Sequence, residues 1–291
     1  MDQVDVKMTQ SIVIHSHKGG SGKTSTAVNL GAILATRGYC VVVIDLDLNA
    51  PSLQTFAPGR QENTINDLFL GNCDFEDVIF DATYLLDDKN ANGKFYFALA
   101  DISGEGISEM SQRSKEDLLN DLYLLMGIIR NQLPNDPWNA DYVIIDTPPG
   151  LSTNSINGVA TADHLLLLLR LVNADINGTY HFLKTIHKAL RPRTSIVVNQ
   201  VPKSFLDKGG DARTSELIQN RIIQHLGRSN IDLLGIIQHD ENLINTELEY
   251  AFSEMNKPLE NKPRPIHYLI NRESEFSKSL MEIADKLENR D

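Results

Sequence analysis

The sequence predicts an α/β fold, a doubly wound and mostly parallel sheet flanked by helices. Three observations carry that expectation. Short apolar runs recur at residues 12–14, 40–44, 95–100, 142–145, 165–169, 195–198 and 233–237, and most are continuous rather than alternating, as strands covered on both faces read. Helix-compatible segments lie between them, among them 23–37, 115–133, 176–190 and 212–227, and strand, helix, strand repetition makes successive strands parallel. A glycine cluster stands between the first apolar run and the first helix pattern, the setting of a phosphate-binding turn.

The elements follow in order. Gly38 comes just after the first helix pattern, where a left-handed residue closes a helix. Residues 87–93 are polar and turn-rich and read as a surface loop. Pro134 and Pro137 stop a helix before the strand beginning at Tyr142, and Pro192 does the same before the strand at Ser195. Near the end, Phe276, Leu280, Ile283 and Leu287 recur at helical spacing, so residues 273–291 are expected to form a helix packed on the body. No repeat, low-complexity tract or linker divides the 291 residues, and a single domain over 1–291 is expected.

Composition excludes several classes. The chain is 41% hydrophobic and 23% charged with a formal net charge of −12, which argues against a surface that coats nucleic acid or an anionic membrane as a whole. Cys40 and Cys73 form no CxxC pair, which argues against a metal–sulfur centre. No apolar run approaches bilayer length and residues 1–10 lack a signal-peptide core, so a cytoplasmic protein is expected.

The residues with the clearest chemistry are Lys18, Gly19, Gly20, Ser21, Gly22, Lys23, Thr24 and Ser25. Glycines let the backbone approach phosphates and turn successive amides toward an anion, and the helix starting near Lys23 adds its positive end. Lys23 would carry charge to the β and γ phosphates of ATP, and the Thr24 hydroxyl would ligate Mg²⁺. The usual GxxxxGK[ST] pattern calls for glycine at position 17; this chain has His17 there and a second lysine, Lys18, inside the loop.

The segment KGGSGKT, Lys18 to Thr24, resembles the deviant phosphate loop of the ParA/MinD family of ATPases. In that family the early lysine reaches across a dimer interface to the partner's nucleotide, so the resemblance implies an ATP-sandwiched homodimer using Lys18. The alternative is a solvated loop lysine. The resemblance spans roughly residues 11–250 and includes two further motifs. CVVVIDLDLN ends a buried strand in Asp45 and Asp47, carboxylates on the rim where open α/β sheets bind ligands. The family's DxD there implies that Asp47 orients the attacking water and Asp45 supports the Mg²⁺ shell. DYVIIDTPPG ends another strand in Asp146, a Walker B carboxylate for Mg²⁺, and Thr147 to Gly150 form a stiff turn able to sense the γ-phosphate, matching the family's DxPPG. The resemblance also implies adenine contacts at Asn199 and, where the family's IPxD segment has proline, near Gln238 and Asp240.

Partner features are weaker. Residues 184–228 hold nine Lys/Arg against three Asp/Glu, and in the ParA branch a comparable region touches DNA without sequence preference; Lys203, Lys208, Arg213, Arg221 and Arg228 are the candidates, with a solvated helix face as the alternative. The MinD branch ends in a basic amphipathic membrane helix, whereas the C-terminal helix here has a mostly acidic or neutral polar face, which argues against direct membrane binding. His15, His17, His181, His187 and His225 are scattered and read as satisfied or solvated rather than metal ligands. Taken with the motifs, the resemblance implies a Mg²⁺-dependent ATP hydrolase that dimerises with ATP and positions DNA or a protein cargo. An ATP-dependent synthetase or metallochaperone, and a nucleotide-binding regulator with negligible hydrolysis, remain open at this point.

Overall fold

The computed structural model describes residues 8–58, 62–86, 92–227, 230–253 and 263–289. Among them, eight strands form one sheet: β1 (Gln10–His15), β2 (Cys40–Asp45), β3 (Ile79–Asp81), β4 (Lys94–Ala98), β5 (Tyr142–Asp146), β6 (His164–Leu169), β7 (Arg193–Val201) and β8 (Ile231–Gln238). Their order is β3-β4-β2-β5-β1-β6-β7-β8, parallel throughout except for β3, which runs antiparallel to β4 at the edge. Each apolar run named above falls on a parallel strand, the run at 95–100 overrunning β4 by two residues. β3 went unseen because three residues are too few to show a period.

Continuous apolar runs arise because both faces of the sheet are covered. Val13, Ile145 and Leu167 belong to one buried layer, while Ile12, Ile14, Ile144 and Leu166 belong to the other. Helix α1 (Lys23–Thr36) and the C-terminal helix (Glu275–Glu288) cover the second layer, where Phe276, Leu280, Ile283 and Leu287 are all buried. The opposite layer is covered by helices that include Asn173–Ala189. Two expected helices change their winding near the C-terminal end: Lys115–Gly127 continues as a π-turn over Ile128–Gln132, and Gly210–Ile218 continues as another over Gln219–Ile223. Helix α1 closes as expected on Gly38, at φ +102°, whose amide donates to Ala35 O while Tyr39 N donates to Leu34 O. Most of the expected surface loop at 87–93 lies outside the described residues.

The topology fixes where a ligand can sit. Chain entering β1 at the centre of the sheet passes to β2 and β4 on one side and later to β6, β7 and β8 on the other. The C-terminal end of β1 is therefore the switch point of the sheet, the place where open α/β folds leave a crevice.

Candidate nucleotide site

The glycine-rich turn leaves β1 at this switch point. Gly20 and Gly22 take left-handed conformations at φ +74° and +90°. At Gly22 a side chain is barred twice, since a Cβ there would also lie 2.5 Å from Asn199 Nδ2. From the end of β7, Asn199 Nδ2 donates to Ser21 O at 2.7 Å and Gln200 Nε2 donates to Gly20 O at 3.3 Å, so a distant strand buttresses the turn. Lys23 opens α1 and is only 8% exposed, with no ion pair among the described residues, an arrangement that favours an anion beside it.

Adjacent strands bring the carboxylates together. β2 and β5 pair in register so that Asp45 lies opposite Asp146. The Thr24 hydroxyl donates to Asp146 Oδ2 at 2.5 Å and accepts from Ser52 Oγ at 2.9 Å. Asp146 is 1% exposed and its Oδ1 has no hydrogen-bond partner among the described residues. Burial pushes its pKa up, and the Thr24 hydroxyl and Lys23 pull the other way. A buried carboxylate oxygen left without a donor, next to a hydroxyl, fits a hard divalent cation such as Mg²⁺. Thr24 and Asp146 would hold it.

Asp45 lies on the neighbouring strand, opposite Asp146. It is fully buried, its Oδ1 accepts from Asp47 N at 3.0 Å and its Oδ2 from Leu53 N at 3.2 Å, and burial together with Asp146 raises its pKa. Expected to support the Mg²⁺ shell, Asp45 also shapes the turn that presents Asp47, each of its oxygens accepting one backbone amide. Asp47 reaches the cleft, with Oδ1 accepting from Ala50 N at 3.2 Å; burial raises its pKa while Lys23 opposes the rise.

Two clefts meet at the turn. The larger, about 590 Å³, is walled by loop residues Gly19, Gly20, Gly22, Lys23, Thr24 and Ser25, by Asp47, and by Pro148 and Pro149. The smaller, about 220 Å³, is lined by Asn199, Gln238, Asp240 and Phe276 among others, and shares Gly22 and Ser25 with the first. The residues expected at the phosphates and at the base thus fall into two adjoining spaces. Four expected residues lie off the walls: Lys18 is exposed, Ser21 is buried, and Asp45 and Asp146 are buried as described, Asp146 behind Thr24. Asp240 lines the smaller cleft but spends its carboxylate on backbone, accepting from Asn242 N at 2.8 Å and Phe276 N at 3.1 Å, so it caps two helices.

The structure adds residues that no motif marked. Ser52 sits on Thr24, and Arg264 enters the larger cleft from near the end of the chain. His15 is buried, stacked on Phe182 at 4.3 Å, and its pKa is pushed down to about 3 by burial and by Lys23. Thr147 donates its hydroxyl proton to Ile14 O, so the neutral His15 donates from Nδ1 to Thr147 Oγ1 at 2.8 Å. This ties the strand under the phosphate loop to the DTPPG turn. His187 is likewise buried and bonded to Thr194, whereas His181 and His225 are exposed near Tyr180.

The basic segment divides. Arg193 begins β7 and Lys203 follows its end, so about 30 Å of strand separates them. Lys203, Lys208 and Arg213 are exposed on the same sheet edge as the phosphate loop, Arg213 over the Phe205 ring at 5.1 Å, while Arg221 is exposed on the second π-turn. Arg228 lies outside the described residues.

A profile of the AAA domain matches residues 9–198. The chain is 29% identical over 249 residues to the septum site-determining protein MinD of Bacillus subtilis, covering 81% of this chain and 79% of that one. It is 29% identical over 215 residues to the sporulation initiation inhibitor protein Soj of the same organism, covering 73% and 77%. The solved structure of MinD from Pyrococcus horikoshii complexed with Mg-ADP superposes with a TM-score of 0.67 over 96% of each chain at 19% identity, a likeness of fold.

Proposed function

This chain belongs to the ParA/MinD family of phosphate-loop ATPases, and on that premise we propose that it is a Mg²⁺-dependent ATP hydrolase whose dimerisation is controlled by ATP and whose output is positioning of DNA or a protein cargo. The observation that carries the reading is the joined pair of Thr24 and Asp146, with an orphaned carboxylate oxygen beside buried Lys23, at the mouth of two clefts that share Gly22 and Ser25. That is a cradle for a metal-bound triphosphate with room for a base.

In this reading the base and ribose enter the smaller cleft past Asn199 and Gln238, and the phosphates follow the loop amides into the larger one. Bound Mg²⁺ would supply charge neutralisation to the β and γ phosphates. Lys23 holds the same oxygens from within the helix. Asp47, fixed through Asp45 and the Ala50 amide, accepts a hydrogen bond from the attacking water and aligns it with the γ-phosphorus. The exposed position of Lys18 suits a residue that reaches the nucleotide of a second copy. Lys203, Lys208 and Arg213, on the same edge as the nucleotide, are the DNA-contact candidates that ATP binding could gate.

The test is the light-scattering mass of Asp47→Ala with ADP and then with ATP and Mg²⁺, repeated with non-specific DNA. The expected result is a mass that doubles with ATP alone among the two nucleotides, with turnover about 100-fold below the unaltered protein. The dimer is expected to bind DNA in a manner weakened by salt and by removal of Lys203, Lys208 and Arg213. Unchanged mass would sink the Lys18 dimer, and ordinary turnover would remove Asp47 from the mechanism.

A further inference from the structure

Arg264 lies 239 positions from Ser25, yet its Nη2 stands 3.4 Å from the Ser25 hydroxyl. Its Nε donates to Glu247 Oε1 at 2.9 Å, and Nη2 donates to the same oxygen. The guanidinium lies over the Phe56 ring, 4.7 Å from its centre, and the Arg264 amide donates to Thr55 O at 2.8 Å. The side chain is 18% exposed and forms part of the wall of the larger cleft. Ser25 belongs to both clefts, so the guanidinium stands where the phosphate space meets the base space.

We propose that Arg264 binds the nucleotide at the base-proximal end of its polyphosphate, and that Glu247 serves as its counter-ion when no phosphate is bound. This rests on the nucleotide-site reading above and extends it to a residue outside the family motifs. A guanidinium has five donors in a plane; Phe56 fixes the plane, and the Glu247 and Ser25 contacts leave donors free for phosphate oxygens. Glu247 would otherwise repel the polyphosphate, and the pairing cancels that charge. Lys23 serves the terminal phosphates, so Arg264 acts on affinity for ADP and ATP alike rather than on the hydrolytic step.

The experiment is calorimetric titration of unaltered protein, Arg264→Gln and Glu247→Gln with Mg-ADP and Mg-ATP, with a melting curve of each ligand-free protein. Arg264→Gln is expected to weaken both nucleotides about tenfold. Glu247→Gln, which frees Arg264 from its competitor, is expected to bind both at least as tightly as the unaltered protein. The two changes break the same ion pair, so a pair that merely anchors the chain would shift both variants in the same direction or neither. Either of those results overturns the proposal. Unaltered protein that binds neither nucleotide overturns the site reading and this inference with it.

Discussion

The phosphate half and the base half of the site are built on different principles. Around Lys23 and Asp146 lie buried polar atoms without partners among the described residues, Asp146 Oδ1 and Ser21 Oγ for example, beside a nearly buried ammonium. Around Asn199 and Asp240 the polar groups are already used by the protein itself, on the Ser21 carbonyl, the Gln200 amide and two helix N-termini. Leaving a buried polar group unpaired costs about 1–3 kcal/mol, so the first region is held ready at the expense of stability and the second is not. Charge recognition therefore resides at the turn after β1, while the strand ends of β7 and β8 mainly brace that turn and shape a slot for the base.

Substitutions can break that contrast. Lys23→Ala is expected to have the largest effect, a loss of ATP affinity of about 100-fold or more in calorimetry, because no other described residue places a buried ammonium at the phosphates. Micromolar binding retained by the variant would contradict the phosphate assignment. Asp146→Asn keeps an acceptor for Thr24 but removes the charge. It is expected to lose about tenfold in affinity with Mg²⁺ present and little with Mg²⁺ chelated, and equal losses in both conditions would detach Asp146 from the metal.

Gly22→Ala tests the brace between the halves. The added methyl meets Asn199 Nδ2 and must also adopt φ +90°, so nucleotide affinity is expected to fall about tenfold, and Asn199→Ala added to it should recover little because the backbone strain persists. Full recovery in the double variant would show that contact alone excludes the side chain. Asp240→Asn should move the other way, lowering stability by about 1 kcal/mol through weakened helix caps while changing nucleotide affinity by less than about twofold.

The Asp240 effect has a pH signature. Burial alone would raise its pKa, but the amides of Phe276 and Asn242 outweigh burial and hold it below the ordinary carboxylate value. A depressed carboxylate stabilises the fold fully above the unfolded pKa and ceases to do so as pH falls through the folded value. Urea unfolding should therefore separate Asp240→Asn from the unaltered protein at pH 7, with the gap closing as pH falls below the ordinary carboxylate range and through the depressed folded value. A gap that persists in acid would assign the loss to packing instead of charge.

Much of this was legible in the chain. The seven apolar runs became the parallel strands because two-sided burial leaves a continuous imprint, and Lys23, Thr24, Asp47 and Asp146 could be placed because each stands at a fixed distance from a strand end. The bonds from the amides of Asp47 and Leu53 to Asp45 were not legible, because a carboxylate ending a strand looks the same in sequence whatever it accepts from. The capping of a helix 36 residues later by Asp240 likewise has no local signal.

The sequence by itself determined the parallel strands and the residues of the turn after β1, since these depend on local periodicity and on glycine's freedom at Gly20 and Gly22, whereas the strand order and its switch point came from the tertiary structure. Only the tertiary structure decided that Asn199 underlies the turn, that Ser52 completes the Thr24 and Asp146 pair, that the basic segment splits between two edges of the sheet, and that Arg264 joins the cleft. Those are contacts between segments far apart in the chain, and it is the packing of whole strands and helices that sets which atoms meet.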